Sequence, residues 1–418
     1  MRKLILFFTF LASLYALDLT LEIVKDVGDR PKIVIEDATT SVESRIDQKF
    51  FKLLVGDLEV TAHFDVDNQK YTTSFDAPVN YAGYKEASYL LRYMLFYDDR
   101  GQLGAKVLFT DLKSGKQILA KTYSITDPAR YPFLAHAVIV DANNALGFPD
   151  VSFLKRFVVF SKYTRPKHAD IVISDYTLTY QKTVITGGLN LFPKWANAKQ
   201  TSFYYTDMSG VPTLYRVDIY KGTRTKITSS EGMLVCSDVS KDGTKLLLTM
   251  APNMQPDIYR LDLTTGSLLR ITRYPGIDVN ANFVHNDRAV VFVSDRLGYP
   301  TIFTKRIGSR AVQRVVYHGT NNSACSAYGD YVVYSSRETD NAFGRNTFNL
   351  YLASLNSDYI RRLTANGVNI FPRFGIDGET IMYIKEFGRQ SGLGIIRLRY
   401  NKAYIYPLAV GKIQSLDW

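Results

Sequence analysis

Six glycines recur through the second half of the chain at almost even intervals. They are Gly188, Gly232, Gly276, Gly319, Gly367 and Gly411, and the successive gaps are 44, 44, 43, 48 and 44 residues. A period of this size is typical of a β-propeller, in which each repeat forms one blade. This spacing limits the possible folds more than any other feature of the sequence.

A short β-branched strand precedes most of these glycines, as in Lys226-Ile227-Thr228. An alternating strand lies upstream of it, for example Leu214 to Asp218, and an apolar strand lies further upstream, for example Leu246 to Leu248. With the segment after each glycine, every repeat then holds four strands. Helical repeats would instead need apolar residues with a period of about 3.6, which the repeats lack. We therefore predict a six-bladed β-propeller over residues 151–418.

The sequence pattern of the first repeat contains only three predicted strands, the first of them at Arg156 to Phe160. The inner strand that the other blades have is missing from it. After the last glycine, Lys412 to Trp418 have the length of one strand. We predict that this C-terminal strand, residues 412–418, pairs with Phe157 to Phe160. Such pairing closes the ring and leaves no open sheet edge between the first and last blades.

The chain begins with the pattern of an export signal. Arg2 and Lys3 precede an uncharged apolar run from Leu4 to Ala16, which is too short to span a bilayer. We expect a signal peptide over residues 1–16, with an uncleaved N-terminal anchor as the alternative. No second run of about 20 apolar residues occurs, so the mature protein is expected to be periplasmic and peripheral to the envelope rather than membrane-spanning.

A mixed α/β pattern occupies residues 17–150. Strands are expected at 19–24, 33–35, 87–97, 105–111 and 118–123, and helices at 43–55 and 133–146. Mixed elements ahead of a repeat array indicate a separate domain. The predicted fold class is therefore multidomain, with a small N-terminal α/β domain followed by an all-β six-bladed propeller.

The formal net charge of +11 falls to +9 when Arg2 and Lys3 leave with the signal peptide. The basic residues are scattered, which is typical of a solvated surface; attraction to acidic envelope polymers is the alternative. Nothing resembles a nucleic-acid-binding module, so no nucleic-acid partner is expected. Cys236 and Cys325 lie in different repeats without a CxxC motif or a nearby His pair. We expect two buried free thiols and no metal, with a disulfide as the alternative.

Several short motifs occur in a definite order along the chain. In the first domain they are Arg30-Pro31-Lys32-Ile33-Val34, Val55-Gly56-Asp57-Leu58 and Leu134-Ala135-His136. In the repeats they are Arg156-Phe157-Val158-Val159-Phe160, Ile173-Ser174-Asp175-Tyr176, Phe192-Pro193-Lys194-Trp195 and Phe371-Pro372-Arg373-Phe374. With the signal peptide and the six glycines, this order resembles the TolB family, periplasmic components of the Tol-Pal envelope system of Gram-negative bacteria. The family's Ser-Pro-Asp-Gly turn is altered here, for example to Ser240-Lys241-Asp242-Gly243.

The resemblance implies a non-enzymatic adaptor without a cofactor. In the family, one opening of the propeller channel binds Pal, the peptidoglycan-associated outer-membrane lipoprotein, and the N-terminal domain binds TolA of the inner membrane. The system maintains the outer membrane and its constriction during cell division. We accordingly expect a monomer whose partners are Pal and TolA, and possible further partners are other envelope proteins.

Two groups of residues are the candidate binding sites. The residues after each repeat glycine enter the inner strands and should surround one mouth of the channel, where the resemblance implies that Pal binds. They are Asn190, Phe192, Met233, Cys236, Asp278, Asn280, Asn322, Asn369 and Phe371. The mature N-terminus alternates apolar and polar residues, so it predicts an edge strand that adds to its own domain or to TolA. Its residues are Leu17, Asp18, Leu19, Thr20, Leu21, Glu22 and Ile23.

The competing interpretation is a propeller-type periplasmic hydrolase of glycans or peptides. The chain has no G-x-S-x-G motif, and its five histidines are far apart with no H-E-x-x-H. His136 lies on a predicted helix and is expected to be a packed or hydrogen-bonded residue. Asp65-Val66-Asp67 resembles a calcium loop, but Lys70 stands where such a loop needs Gly. We predict no catalytic, cofactor or metal site, although sequence leaves open a long-range carboxylate pair.

Overall fold

The computed structural model describes residues 30–341 and 344–418. The predicted signal peptide, the strand expected at 19–24 and the candidate TolA-binding residues 17–23 lie outside these ranges. None of the helices within the described ranges is long and apolar enough to cross a membrane.

The N-terminal domain is a five-stranded mixed sheet with two helices on one face. Its elements are β1 Lys32–Asp37, α1 Ser44–Thr61, β2 Asp65–Thr72, β3 Tyr89–Tyr97, β4 Leu103–Asp111, β5 Gln117–Ile125 and α2 Tyr131–Ala145. The strand order is β2-β1-β3-β4-β5, and β1 runs parallel to both of its neighbours. Ile33 and Ile35 are fully buried in the core that contains both helices, because residues i and i+2 of a strand share a face.

Both predicted helices are present, and α1 extends six residues beyond the predicted end at residue 55. Strand β2 is not among the predicted elements. It contains the Asp65-Val66-Asp67 segment, is largely polar, and its register with β1 is interrupted between Ile33 and Ile35. An irregular edge strand has no strict alternation of apolar and polar residues, so its sequence carries no clear strand signal.

The propeller part of the described chain has 24 strands, which form four sheets of four strands and one sheet of eight that holds two further sets of four. Blade 1 begins with β6 Val158–Arg165, β7 His168–Ser174 and β8 Gln181–Ile185; blade 2 has β9 Asn190–Trp195, β10 Ser202–Asp207, β11 Thr213–Asp218 and β12 Arg224–Ser229; blade 3 has β13 Leu234–Val239, β14 Lys245–Met250, β15 Asp257–Asp262 and β16 Leu268–Arg270. Blade 4 has β17 Asp278–Val284, β18 Ala289–Ser294, β19 Thr301–Arg306 and β20 Gln313–Arg314; blade 5 has β21 Asn322–Tyr328, β22 Tyr331–Asn341, β23 Gly344–Ser354 and β24 Ile360–Arg362; blade 6 has β25 Val368–Phe374, β26 Thr380–Phe387, β27 Gln390–Arg397 and β28 Lys402–Pro407.

The last strand, β29 Lys412–Asp417, is the inner strand of blade 1. It runs antiparallel to β6, with Leu416 opposite Phe160 and Asp417 opposite Val159. The first and last strands of the propeller are therefore joined within one sheet. Their pairing covers the edge of β6 that would otherwise have no partner strand.

Antiparallel blades give the propeller two distinct faces. Each repeat glycine lies one to three residues before an inner strand, so the six glycines share a face with the loops that join the second and third strands of the blades. We call this the glycine face. The opposite side, the turn face, carries the turns after the first and third strands.

The N-terminal domain packs against blades 1 and 6 through a shared apolar core. His63, which follows α1, has its Nε2 atom 2.8 Å from the hydroxyl of Tyr400 in the turn between β27 and β28. The Tyr404 hydroxyl of β28 donates to the Glu59 carbonyl at 2.5 Å. These contacts place the domain beside the turn face and the outer strand of blade 6.

Candidate partner-binding site

The nine residues predicted to surround a channel mouth differ in accessibility. Asn190, Cys236, Asp278, Asn322 and Asn369 are at most 2% exposed. Phe192, Asn280 and Phe371 are half-buried, and Met233 is 39% exposed. Only the second group presents side-chain surface that a partner could contact directly.

The three buried asparagines form the same contact in three blades. The Asn190 amide donates to the Gly187 carbonyl at 2.8 Å, and that of Asn322 donates to the His318 carbonyl at 2.8 Å. The Asn369 amide donates likewise to the backbone a few residues upstream, also at 2.8 Å. Each bond fixes the loop at a repeat glycine to the inner strand that follows it, so these loops are ordered before any partner binds.

In blade 4, an ion pair takes the place of the asparagine hydrogen bond. Arg296 Nη2 donates to both carboxylate oxygens of Asp278, at 3.0 and 3.1 Å. Asp278 is fully buried, and a buried carboxylate needs such a partner because leaving it unpaired is costly.

Four inner strands carry a β-bulge at which a non-glycine residue has a positive φ. The φ angles are 55° at Phe192, 54° at Asn280, 48° at Ala324 and 56° at Phe371. This conformation costs roughly 1–2 kcal/mol for such residues, and bulges re-aim side chains next to functional sites. Ala324 occupies the position in blade 5 that the other three occupy in their blades, and sequence reasoning missed it because alanine carries no functional group.

Seven exposed apolar side chains lie in the loops of the glycine face. They are Met254 (84% exposed), Val410 (77%), Tyr317 (71%), Val211 (62%), Ile277 (47%), Leu297 (46%) and Met233 (39%), which together we call the apolar rim. The turn face also carries exposed apolar side chains, among them Tyr220, Tyr328 and Ile376. Clustered exposed apolar groups mark interaction surfaces. Sequence reasoning found only Met233; the available signal was apolar residues inside turn-forming segments such as Gly210-Val211-Pro212.

A charged cluster crosses the channel between the two faces. Lys194 Nζ lies 3.1 Å from Asp417 and 3.5 Å from Asp238. The same two carboxylates accept the backbone N–H groups of Trp195 at 2.8 Å and Phe283 at 2.9 Å. Burial would lower the pKa of Lys194, but the two aspartates outweigh it and raise that pKa, whereas burial raises the pKa of Asp238. The cluster links inner strands of blades 1 to 4 and keeps Lys194 charged.

A cavity of about 960 Å³ opens on the turn face. Lys194, Asp238, Asn282 and Ser326 line it, together with the turns of several blades. Its lining carries both cations and carboxylates, including the Lys194–Asp238 pair, so the cavity shows no preference for a ligand of one charge. No group of three or more metal-ligating side chains is found in the part of the chain that the structure describes.

A second buried cluster joins the N-terminal domain to the propeller. His136 Nδ1 lies 2.7 Å from Asp57, its Nε2 lies 3.4 Å from Asp175, and the Tyr176 hydroxyl donates to Asp57. All four residues are fully buried. Burial alone would lower the pKa of His136, but the two carboxylates outweigh it and raise the pKa to about 9. His136 is therefore a cation at neutral pH, and the expectation that it is a hydrogen-bonded residue is confirmed.

The two cysteines are buried free thiols, as predicted. Burial raises the pKa of both, to about 12 for Cys325 and further for Cys236. Thiols of this kind are poor nucleophiles, because the thiolate is the reactive form.

Comparison with known proteins identifies relatives along the whole chain. A family model described as the TolB β-propeller domain matches residues 152–415. The chain is 51% identical over 423 aligned positions to the Tol-Pal system protein TolB of Wolinella succinogenes, and 45% identical over 424 positions to that of Campylobacter jejuni, in each case covering 100% of both chains. The crystal structure of TolB from Acinetobacter baumannii has the same fold, with a TM-score of 0.74, 22% identity and coverage of 95% of this chain and 98% of that one.

These matches confirm the predicted resemblance and the α/β-plus-propeller fold class. The full-length relatives are named as Tol-Pal system proteins, in agreement with the prediction of a non-enzymatic protein. The chain belongs to the TolB family of Tol-Pal system proteins.

Proposed function

We propose that this protein is a periplasmic adaptor of the Tol-Pal system that binds the lipoprotein Pal at the glycine face and TolA through its N-terminal segment. In this role it contributes to outer-membrane integrity and to envelope constriction at division. The observation that carries the proposal is the apolar rim, held on loops that are already ordered. The N-terminal domain packs beside the turn face, so it does not compete for this surface.

Two roles follow for the nine candidate residues. Met233, Phe192, Asn280 and Phe371, together with the apolar rim, contact Pal directly. Asn190, Asn322, Asn369, Asp278 and Cys236 are buried and act by holding the inner strands and their loops in place. Order in the free protein favours binding because little conformational entropy is lost when the partner docks.

Isothermal titration of the mature protein with soluble, unlipidated Pal tests the first half of the proposal. Met233→Glu places a charge within the rim and should weaken binding about tenfold or more, as expected for an apolar contact near the centre of an interface. Asn280→Arg should do the same, although arginine at this positive φ costs roughly 1 kcal/mol of stability. The melting temperature of Met233→Glu should stay close to that of the parent.

Leu268→Glu is the matched control, because Leu268 belongs to the same blade and is 46% exposed on the outer strand β16. It introduces the same charge at a similar exposure and should leave Pal affinity unchanged. Unaltered binding by both Met233→Glu and Asn280→Arg would place the Pal site elsewhere.

The second half of the proposal concerns residues 17–23. Their alternating pattern suits addition to a sheet edge of TolA. Deleting them should abolish binding to TolA while the circular dichroism spectrum of the propeller stays the same. A variant with these seven residues in scrambled order is the control for length and composition. Full TolA affinity in the deletion variant would refute the assignment.

We further propose that export removes residues 1–16, that residues 17–150 and 151–418 are the two domains, and that the mature protein is a monomer. Intact-mass measurement of protein purified from the periplasm tests the cleavage site. Light scattering coupled to size-exclusion chromatography tests the monomer. A mass that includes residues 1–16, or a stable dimer, would contradict these points.

A further inference from the structure

Three methionines lie in glycine-face loops of two consecutive blades, blade 2 and blade 3. Met208 begins the loop between β10 and β11, Met233 precedes β13, and Met254 lies in the loop between β14 and β15. The last two belong to the same blade and their loops are joined, because the Ala251 N–H donates to the Met233 carbonyl at 2.9 Å. Met254 is 84% exposed, Met233 is 39% exposed, and Met208 is half-buried.

The Met254 loop holds its thioether in solvent. The backbone N–H of Met254 donates to the Ala251 carbonyl at 3.1 Å, and φ at Met254 is +61°. Pro252 and Pro256 flank this turn and restrict its backbone further. The side chain is therefore exposed on a turn with a restricted backbone.

Two other methionines of blades 3 and 6 provide a contrast. Met250, at the end of β14, is 4% exposed, and Met382 of β26 is fully buried. Access to the sulfur governs how fast a thioether is oxidised, so exposure separates Met254 and Met233 from these two.

We propose that Met233 and Met254 are a modification site at which oxidation to methionine sulfoxide by hydrogen peroxide weakens partner docking on the glycine face; the docking part rests on the proposed function. The sulfur lone pair attacks one oxygen of hydrogen peroxide, and the S–O bond forms as the O–O bond breaks. The oxygen bound to sulfur releases its proton. The departing hydroxide takes up that proton and leaves as water. The thioether is oxidised by two electrons and the peroxide is reduced.

The chemical change explains the expected effect. Methionine is a flexible apolar side chain suited to adaptable binding surfaces, whereas the sulfoxide is polar and chiral. A sulfoxide oxygen brought into an interface loses its water without gaining a fixed donor. Reduction by a methionine sulfoxide reductase restores the thioether, so the change is reversible.

Peroxide titration of the full mature protein tests the proposal. Peptide mass mapping should detect sulfoxide first at Met254, then at Met233, and last at Met250 and Met382. At the point where Met233 and Met254 are oxidised and the melting curve is unchanged, affinity for soluble Pal should be about tenfold lower. The double variant Met233→Leu/Met254→Leu has no thioether at either position, so the ratio of its Pal affinities before and after peroxide treatment should be close to one, whatever its starting affinity.

Three outcomes would overturn the inference. Equal oxidation rates for the exposed and buried methionines would refute the site itself. Unchanged Pal affinity after complete oxidation of Met233 and Met254, or an equal loss in the leucine double variant, would refute the docking effect while leaving the proposed function intact. Absence of Pal binding by the untreated protein would instead refute the proposed function, and the docking effect with it.

Discussion

Removing the last seven residues, Lys412 to Trp418, should unfold the whole propeller and not only remove one strand from it. The deletion takes away β29, which pairs with β6 and completes blade 1. It also removes Asp417, which pairs with Lys194 inside the channel at 3.1 Å and accepts the Trp195 N–H. The perturbation therefore opens the ring, exposes the edge of β6 and leaves Lys194 with one carboxylate partner instead of two.

The magnitude follows from three buried side chains. Ile413 is 1% exposed, Leu416 is fully buried and Trp418 is 4% exposed. Loss of one large buried apolar side chain costs about 2–5 kcal/mol. Removing all three, even with partial relaxation, exceeds about 5 kcal/mol and approaches the total stability of about 5–15 kcal/mol of a typical domain.

Urea titration followed by far-UV circular dichroism, with light scattering to detect aggregates, provides the assay. The truncated protein should lack the cooperative transition of the full chain and should aggregate through the open edge. Trp418→Ala is the milder variant and should lose about 3–5 kcal/mol. Tyr220→Ala, at a tyrosine that is 73% exposed, is the control and should stay within about 0.5 kcal/mol. A truncated protein with the unfolding midpoint of the full chain would refute the reasoning.

Three further expectations concern buried groups. His136→Gln should destabilise the protein by about 3–5 kcal/mol, because it leaves Asp57 and Asp175 buried without their cation. His285→Gln is the control and should have little effect, because that side chain is 44% exposed. Equal urea midpoints for the two variants would contradict this expectation. The folded pKa of His136 lies above its unfolded value, so its contribution is complete below about pH 6.5 and is lost as the pH rises towards about 9. Relative to His136→Gln, the parent should lose about 3 kcal/mol of unfolding free energy over that range, and parallel pH profiles would be inconsistent with a buried imidazolium. Iodoacetamide should label neither cysteine in the native protein and both in urea, since Cys236 and Cys325 are buried with raised pKa values; rapid native labelling would show that the channel wall opens.

The propeller could be predicted because its signals are local and repeated. The glycines before the inner strands report local constraints: at Gly188 and Gly411, φ is +81° and +95°, where other residues are strained, whereas at Gly232 a Cβ atom would lie 2.4 Å from the Ala251 carbonyl oxygen. The alternating and β-branched strands between the glycines carry the four-stranded pattern directly. Strand β2 lacks such a pattern because it is a polar edge strand with an interrupted register, and the sequence gives no sign of it.

The candidate site could be predicted only in part. Position after a glycine places Asn280 and its equivalents on the inner strands and Met233 directly before β13, but polar character does not distinguish a surface contact from a buried support. Asn190 and Asn369 use their amides to bind backbone carbonyls, a role that depends on loop geometry absent from the sequence. The cluster of His136 and its carboxylates is likewise non-local, since His136 lies 79 residues from Asp57 along the chain.

Hydrogen–deuterium exchange of the mature protein with and without soluble Pal tests the central claim most directly, because it locates the bound partner on one face or the other. If the glycine face binds Pal, protection should increase in its loops, around Met233, Ile277 and Met254, and stay unchanged in the turns at Asp242 and Asp287 on the turn face. Protection confined to those turn-face residues, with unchanged exchange across the apolar rim, would contradict the account.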